Sequence, residues 1–142
     1  MENVYKVAQS IVNCANDYDI EVTNLKLQKL LYYVQGFSFQ LFGKPAFKED
    51  FVAWQYGLAI PELYHDYRSE YNIFPIRGKE RVLENLSCEL QELIKAVVKH
   101  YGKINTLDLC EITKKEKPWK KNYLPWSKEI IPKEDIKNSF VD

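Results

Sequence analysis

The sequence predicts a mainly α-helical fold, a single compact domain over residues 1–142 with a minor short β element. Three observations carry this prediction. Apolar residues recur at three- and four-residue spacing along most of the chain. Ser, Thr, Asn and Gly stand where those runs begin and end, and one clear stretch, after Pro45, changes to an extended pattern. With 142 residues, 46 % apolar and 14 % aromatic, the chain has the material for one core, and no linker, repeat or low-complexity tract divides it.

The first helix is expected from about Val4 to Tyr18, with Val4, Val7, Ala8, Ile11, Val12 and Ala15 on one face and Asn3 as its cap. Thr23 or Asn24 caps a second helix that runs to Phe42 and stops at Gly43-Lys44-Pro45. This helix is apolar nearly all round, which marks the centre of a fold, and Gly36 in its middle marks a close helix–helix approach. Residues 46–56 read as extended, with a short strand ending at Gly57. Pro61 opens a third helix, "PELYHDYRSEY", with Leu63, Tyr64, Tyr67 and Tyr71 on one stripe and Glu62, Asp66 and Glu70 off it. Residues 72–83 are ambiguous between a loop and a second extended piece that Pro75 confines to an edge. Ser87 caps a fourth helix with Leu90, Leu93, Ile94, Val97, Val98 and Tyr101 inward and Gly102 as its stop. Thr106 caps a short helix through Thr113, "PWKKNY" forms a turn, and "KEDIKNSFV" closes the chain with Ile136 and Phe140 docking at i and i+4.

Formal charge is zero, from 20 basic and 20 acidic side chains, which disfavours a protein living on phosphate contacts. The longest apolar run, Leu25 to Phe42, is broken by Lys26, Gln28, Lys29, Gln35 and Gln40, so no membrane segment is expected and the N-terminus lacks a signal-peptide core; a cytoplasmic protein is predicted. Cys14, Cys88 and Cys110 are read as buried free thiols, and with His65 and His100 the only histidines, no metal site and no cofactor are expected.

Two stretches could carry chemistry. In "WQYGLAIPELYHDY", residues 54–67, Glu62, His65 and Asp66 share one helical turn and could orient a base or a metal. No nucleophile, second histidine or phosphate-binding glycine loop lies near them, and solvated ion pairing explains them more simply. In "KKEKPWKKNYLPWSK", residues 114–128, six lysines and one glutamate surround Trp119, Tyr123 and Trp126, a mixture that can hold single-stranded nucleic acid. The simpler reading makes Pro118-Trp119 and Pro125-Trp126 anchors of an irregular segment, with the lysines left in water.

Three blocks taken together resemble a known family. "TNLKLQKLLYYVQGF" followed by "FGKPAF", then "FVAWQYGLAIPELY", then "LCEITKKEKPWKK" are similar to the Panacea domain of SocA-like antitoxins, and the closing "IPKEDIKNSF" is similar to the family's end. Leu25, Leu27, Gln28, Lys29, Leu30, Leu31 and Tyr32 match the first block. Ala53, Trp54, Gly57, Pro61 and Tyr64 match the second, and Thr113, Pro118 and Trp119 the third. Leu58 stands where the family pattern has a proline after the glycine, and Lys114 where it has a histidine after the threonine. The resemblance implies a bacterial, phage-associated antitoxin, not an enzyme, that neutralises a cognate protein toxin by direct binding. A patch of aromatic anchors ringed by polar groups suits such binding, and Trp54, Tyr56, Tyr64, Trp119 and Trp126 are the candidate partner-binding residues. The alternatives are a small nucleic-acid-binding regulator using residues 114–128, and an adaptor that brings the toxin to a protease or chaperone. The pattern names no catalytic residue.

Overall fold

The computed structural model describes residues 2–68 and 86–141. In chain order the elements are α1 (Val4–Asp17), α2 (Asn24–Phe42), β1 (Phe51–Trp54), β2 (Gly57–Ala59), α3 (Pro61–Asp66), α4 (Cys88–Tyr101), α5 (Thr106–Lys114), α6 (Lys117–Asn122), β3 (Glu129–Ile131) and α7 (Lys133–Phe140). The mainly helical fold with a small sheet is as the sequence predicts. Glu70, Tyr71 and the ambiguous stretch 72–83 lie outside the described residues.

The helix ends follow local chemistry. Asn3, Thr23 and Ser87 accept hydrogen bonds from the backbone amides of Tyr5, Lys26 and Leu90, satisfying otherwise orphaned donors of α1, α2 and α4. Gly43 closes α2 in the left-handed conformation. α5 is capped by Asn105, one residue before the expected Thr106, because the Asn105 carboxamide reaches the amides of Leu107 and Asp108.

α2 is the axis of the fold. α1, α3, α4, α5, α7 and β2 all pack against it, and Leu27, Leu30, Leu31, Tyr32 and Val34 are fully shielded from water. Burying each such side chain contributes roughly 1.5–3 kcal/mol, so the centre of the fold is set by this one helix. Gly36 is where α7 comes closest: a Cβ built there would lie 2.4 Å from the Phe140 ring. That ring makes edge contacts with Tyr32, Tyr33 and Phe37, so the glycine exists to admit it.

The β element is a three-stranded antiparallel sheet in the order β2-β1-β3, with Trp54 opposite Gly57 and Phe51 opposite Ile131. The expected strand ending at Gly57 is corrected: the chain turns back at Gln55-Tyr56 and Gly57 begins the return strand. Its φ of +106° suits glycine alone, and a Cβ there would lie 2.9 Å from Cε of Lys29. β3 was not foreseen. The cysteines also need a correction: Cys110 is buried and Cys14 half-buried, but Cys88 is exposed, being the first residue of α4 just past its cap.

Gly36→Ala is expected to destabilise the protein. The roughly 1 kcal/mol of added helix propensity is outweighed by about 1–3 kcal/mol of overpacking against Phe140. A shift of the urea midpoint to lower concentration, shrinking when Phe140→Leu is combined with it, is the outcome to look for.

Candidate functional site

The stretch that carries β1, β2 and α3 is held to α2 by polar side chains of that helix. Gln28 accepts from the amide of Ile60 (2.9 Å) while donating to Asn24, and Asn24 donates to the carbonyl of Tyr64 (2.8 Å). Lys29 is wholly buried and donates to the carbonyl of Leu58 (2.9 Å). Gln35 accepts from the amides of Ala46 and Phe47 and donates to the Phe47 carbonyl, fixing the entry to β1. Lys26, Gln28, Lys29 and Gln35 are therefore buried, and of the five residues that interrupt the apolar run only Gln40 is exposed. An all-round apolar helix has no wet face for them, so each must find a backbone partner; that was the signal available in the sequence.

Lys29 bears the largest electrostatic cost of this arrangement. Burial pushes its ammonium down to about 8, with Cys110 favouring the charge and Lys114 opposing it. The adjoining Thr113 is also fully buried, its hydroxyl donating to the carbonyl of Cys110. Residues from all three sequence blocks (Lys29, Gly57 and Thr113) thus meet in one packed spot, which acts to hold β2 and α5 on α2.

On the outer side of this strand pair the candidate aromatics converge on Trp54. Its ring meets Tyr56 edge-on at 5.0 Å and Tyr64 at 4.9 Å, and Lys128 Nζ lies 5.0 Å from its centre. Trp119 donates its indole N–H to the Trp54 carbonyl (2.8 Å), stacks on Tyr123 at 4.4 Å and has Lys114 over its ring. Trp126 shares with Trp54 a cleft of about 190 Å³ whose other walls are Gln55, Tyr123, Ser127 and Lys128. All five predicted residues therefore belong to one face. Trp54, Tyr64 and Trp119 are half-buried and Tyr56 is 48 % exposed.

Trp126 overturns one expectation. Pro118 and Trp119 anchor their segment as predicted, but Pro125 and Trp126 do not: both are exposed, Trp126 completely. The turn from Leu124 to Ser127 is closed by the Ser127 amide on the Leu124 carbonyl (3.2 Å), with Pro125 at its second position. Its third position then takes positive φ, +66° at Trp126, normally a place for Gly or Asn. An indole held in this backbone conformation and facing water is a cost that folding alone does not explain.

The same segment is tied to the core at Glu116. Its two carboxylate oxygens accept from the hydroxyls of Tyr32 (2.7 Å) and Tyr33 (2.6 Å), and burial together with this carboxylate raises both phenols far above their ordinary value. Sequence reasoning had no means of pairing these groups. Glu62, His65 and Asp66 are exposed, and Asp66 is taken by the hydroxyl of Tyr5, which its carboxylate holds up at about 12. Among the described residues no group of three or more His, Cys, Asp and Glu side chains is placed to hold a metal ion, and no helix is long and apolar enough to cross a membrane.

The family model "Antitoxin SocA-like, Panacea domain" matches residues 27–120, which include most of α2, the β1–β2 hairpin and Trp119. Antitoxin SocA of Caulobacter vibrioides (strain NA1000 / CB15N) is 38 % identical over 58 residues, covering 41 % of this chain and 31 % of that protein. The matched stretch thus spans about a third of that relative's length. No solved structure is a significant match.

Two outcomes follow from these positions. For Lys29 the unfolded chain keeps its proton up to about pH 10.5 and the folded one only to about 8, so between these values stability gains with rising pH. Between pH 7.5 and 9.5 the gain is on the order of 2 kcal/mol, and urea denaturation should show it in the native protein but not in Lys29→Met. Trp126→Gly is expected to raise stability by up to about 1 kcal/mol, since relief of left-handed strain slightly exceeds the chain entropy glycine adds; thermal melting measures it.

Proposed function

The chain belongs to the SocA-like antitoxin family with a Panacea domain, and we propose that it neutralises a cognate protein toxin by direct binding through the face centred on Trp54. The family supports an antitoxin role and points to a non-catalytic one. The observation that carries the binding reading is Trp126, fully exposed and at positive φ beside a cleft walled by other aromatics. A rigid aromatic side chain already displayed to solvent is the usual anchor of a protein interface, because little entropy is lost when it is covered. Tyr56 extends the contact, while Trp54, Tyr64 and Trp119 form the firm base beneath it.

Residues 1–142 as one Panacea domain is part of the same proposal. α1 and α7 lie outside the matched residues yet pack directly on α2 within them. The toxin's identity, and whether it is occluded or handed to a protease, do not alter the surface required. The cytoplasm is the proposed location.

The test is co-expression with the product of the adjacent reading frame. The native protein is expected to co-purify with it and restore growth. Trp126→Ala and Tyr56→Ala should each weaken binding by about tenfold or more while leaving the melting temperature near that of the native protein. Full affinity in both variants removes this surface from the interface, and absence of any rescue by the native protein removes the antitoxin assignment.

A further inference from the structure

The face around Trp54 carries charge as well as shape. Residues 114–128 hold six lysines against one glutamate, and that glutamate is turned inward onto Tyr32 and Tyr33. Of the bordering acids, Glu111 pairs with Lys114 and Asp135 with Lys121 and Asn122, while Glu129 takes the Ser127 hydroxyl and keeps its charge; the lysines still outnumber these carboxylates. Lys115, Lys117, Lys120 and Lys128 are exposed along this segment, and Lys128 lines the aromatic cleft itself. A neutral molecule therefore shows one locally basic face with an apolar centre.

The cleft also limits what can enter. At about 190 Å³ it falls below the roughly 300–1,000 Å³ of small-molecule sites and suits one large side chain. Nor are its rings laid out for a nucleic-acid strand, which needs successive open faces. Trp54 already has Tyr56, Tyr64 and Lys128 about it, Trp119 has Tyr123 and Lys114, and of the three tryptophans Trp126 alone is fully exposed.

We infer that this face receives an acidic protein segment bearing an apolar or aromatic side chain, which enters the cleft against Trp126 while its carboxylates meet Lys115, Lys120 and Lys128. This rests on the toxin-binding reading and specifies the chemistry of the toxin surface. Electrostatic complementarity of this kind speeds encounter and excludes basic partners, so it supplies specificity that a bare aromatic patch lacks.

The probe is an end-blocked hexapeptide, Asp-Glu-Leu-Phe-Glu-Asp, titrated against the full chain with tryptophan emission as readout. Its comparators are the same peptide with lysine at the four acidic positions and a twelve-residue oligothymidylate. The acidic peptide is expected to shift the emission to shorter wavelength, to bind about tenfold or more tightly than the basic one, and to weaken with salt. The shift should vanish in Trp126→Ala and in the triple variant Lys115→Glu, Lys120→Glu, Lys128→Glu. Equal binding of the two peptides, binding of neither, or tighter binding of the oligothymidylate overturns the inference. Growth rescue separates it from the reading beneath it. If the native protein and the triple variant protect cells equally from the adjacent gene product, the antitoxin function stands and the acidic partner falls. If the acidic peptide binds as expected but the native protein gives no protection, the surface chemistry stands and the antitoxin function falls.

Discussion

The whole arrangement depends on hydrogen bonds that buried polar side chains of α2 make to backbone far away in sequence. α2 is buried along most of its length, so an unpaired amide or ammonium there would cost about 1–3 kcal/mol, more for a charge. Asn24, Lys26, Gln28, Lys29 and Gln35 avoid that penalty by gripping Tyr64, Gly102, Ile60, Leu58 and the pair Ala46–Phe47. Packing alone would leave these segments free to slide. Directional bonds at five points along one rigid helix hold them in a single register, and Lys29 shows how tight the fit is, since even a methyl group at Gly57 would collide with it.

Through that register the core positions the outer face. Gln28 and Lys29 place β2 and the start of α3, which brings Tyr64 against Trp54. Tyr32 and Tyr33 hold Glu116, the residue just before α6, and Trp119 on α6 then bonds to the Trp54 carbonyl. The aromatic cluster is thus supported from beneath by α2 on two sides. Among the described residues only Trp126, beyond it, presents a ring with no burial at all, in a backbone conformation that disfavours it. Support below and display above is what a preorganised binding surface requires.

Much of this was legible in the residues. Helical spacing and caps located α1, α2 and α4 closely, Gly36 marked the approach of another helix, and the aromatics chosen as partner-binding candidates share one face. The failures share a cause. β3 is three residues long with only Ile131 buried, too short for an alternating pattern to register. The partners of the polar residues of α2 were not legible because polarity within a segment says nothing about a backbone carbonyl brought against it from elsewhere. Pro125-Trp126 looked like an anchor because composition does not tell which way a turn aims its third residue.

By itself, then, the sequence determined where helices start and stop and which family pattern they compose, since these follow from contacts between residues a few positions apart. The tertiary structure alone decided that Lys29 is buried, that Glu116 faces inward while its neighbouring lysines face out, and that Trp126 meets water. Each of these depends on which distant backbone or side chain occupies the space alongside, and that is set only when the helices close around α2.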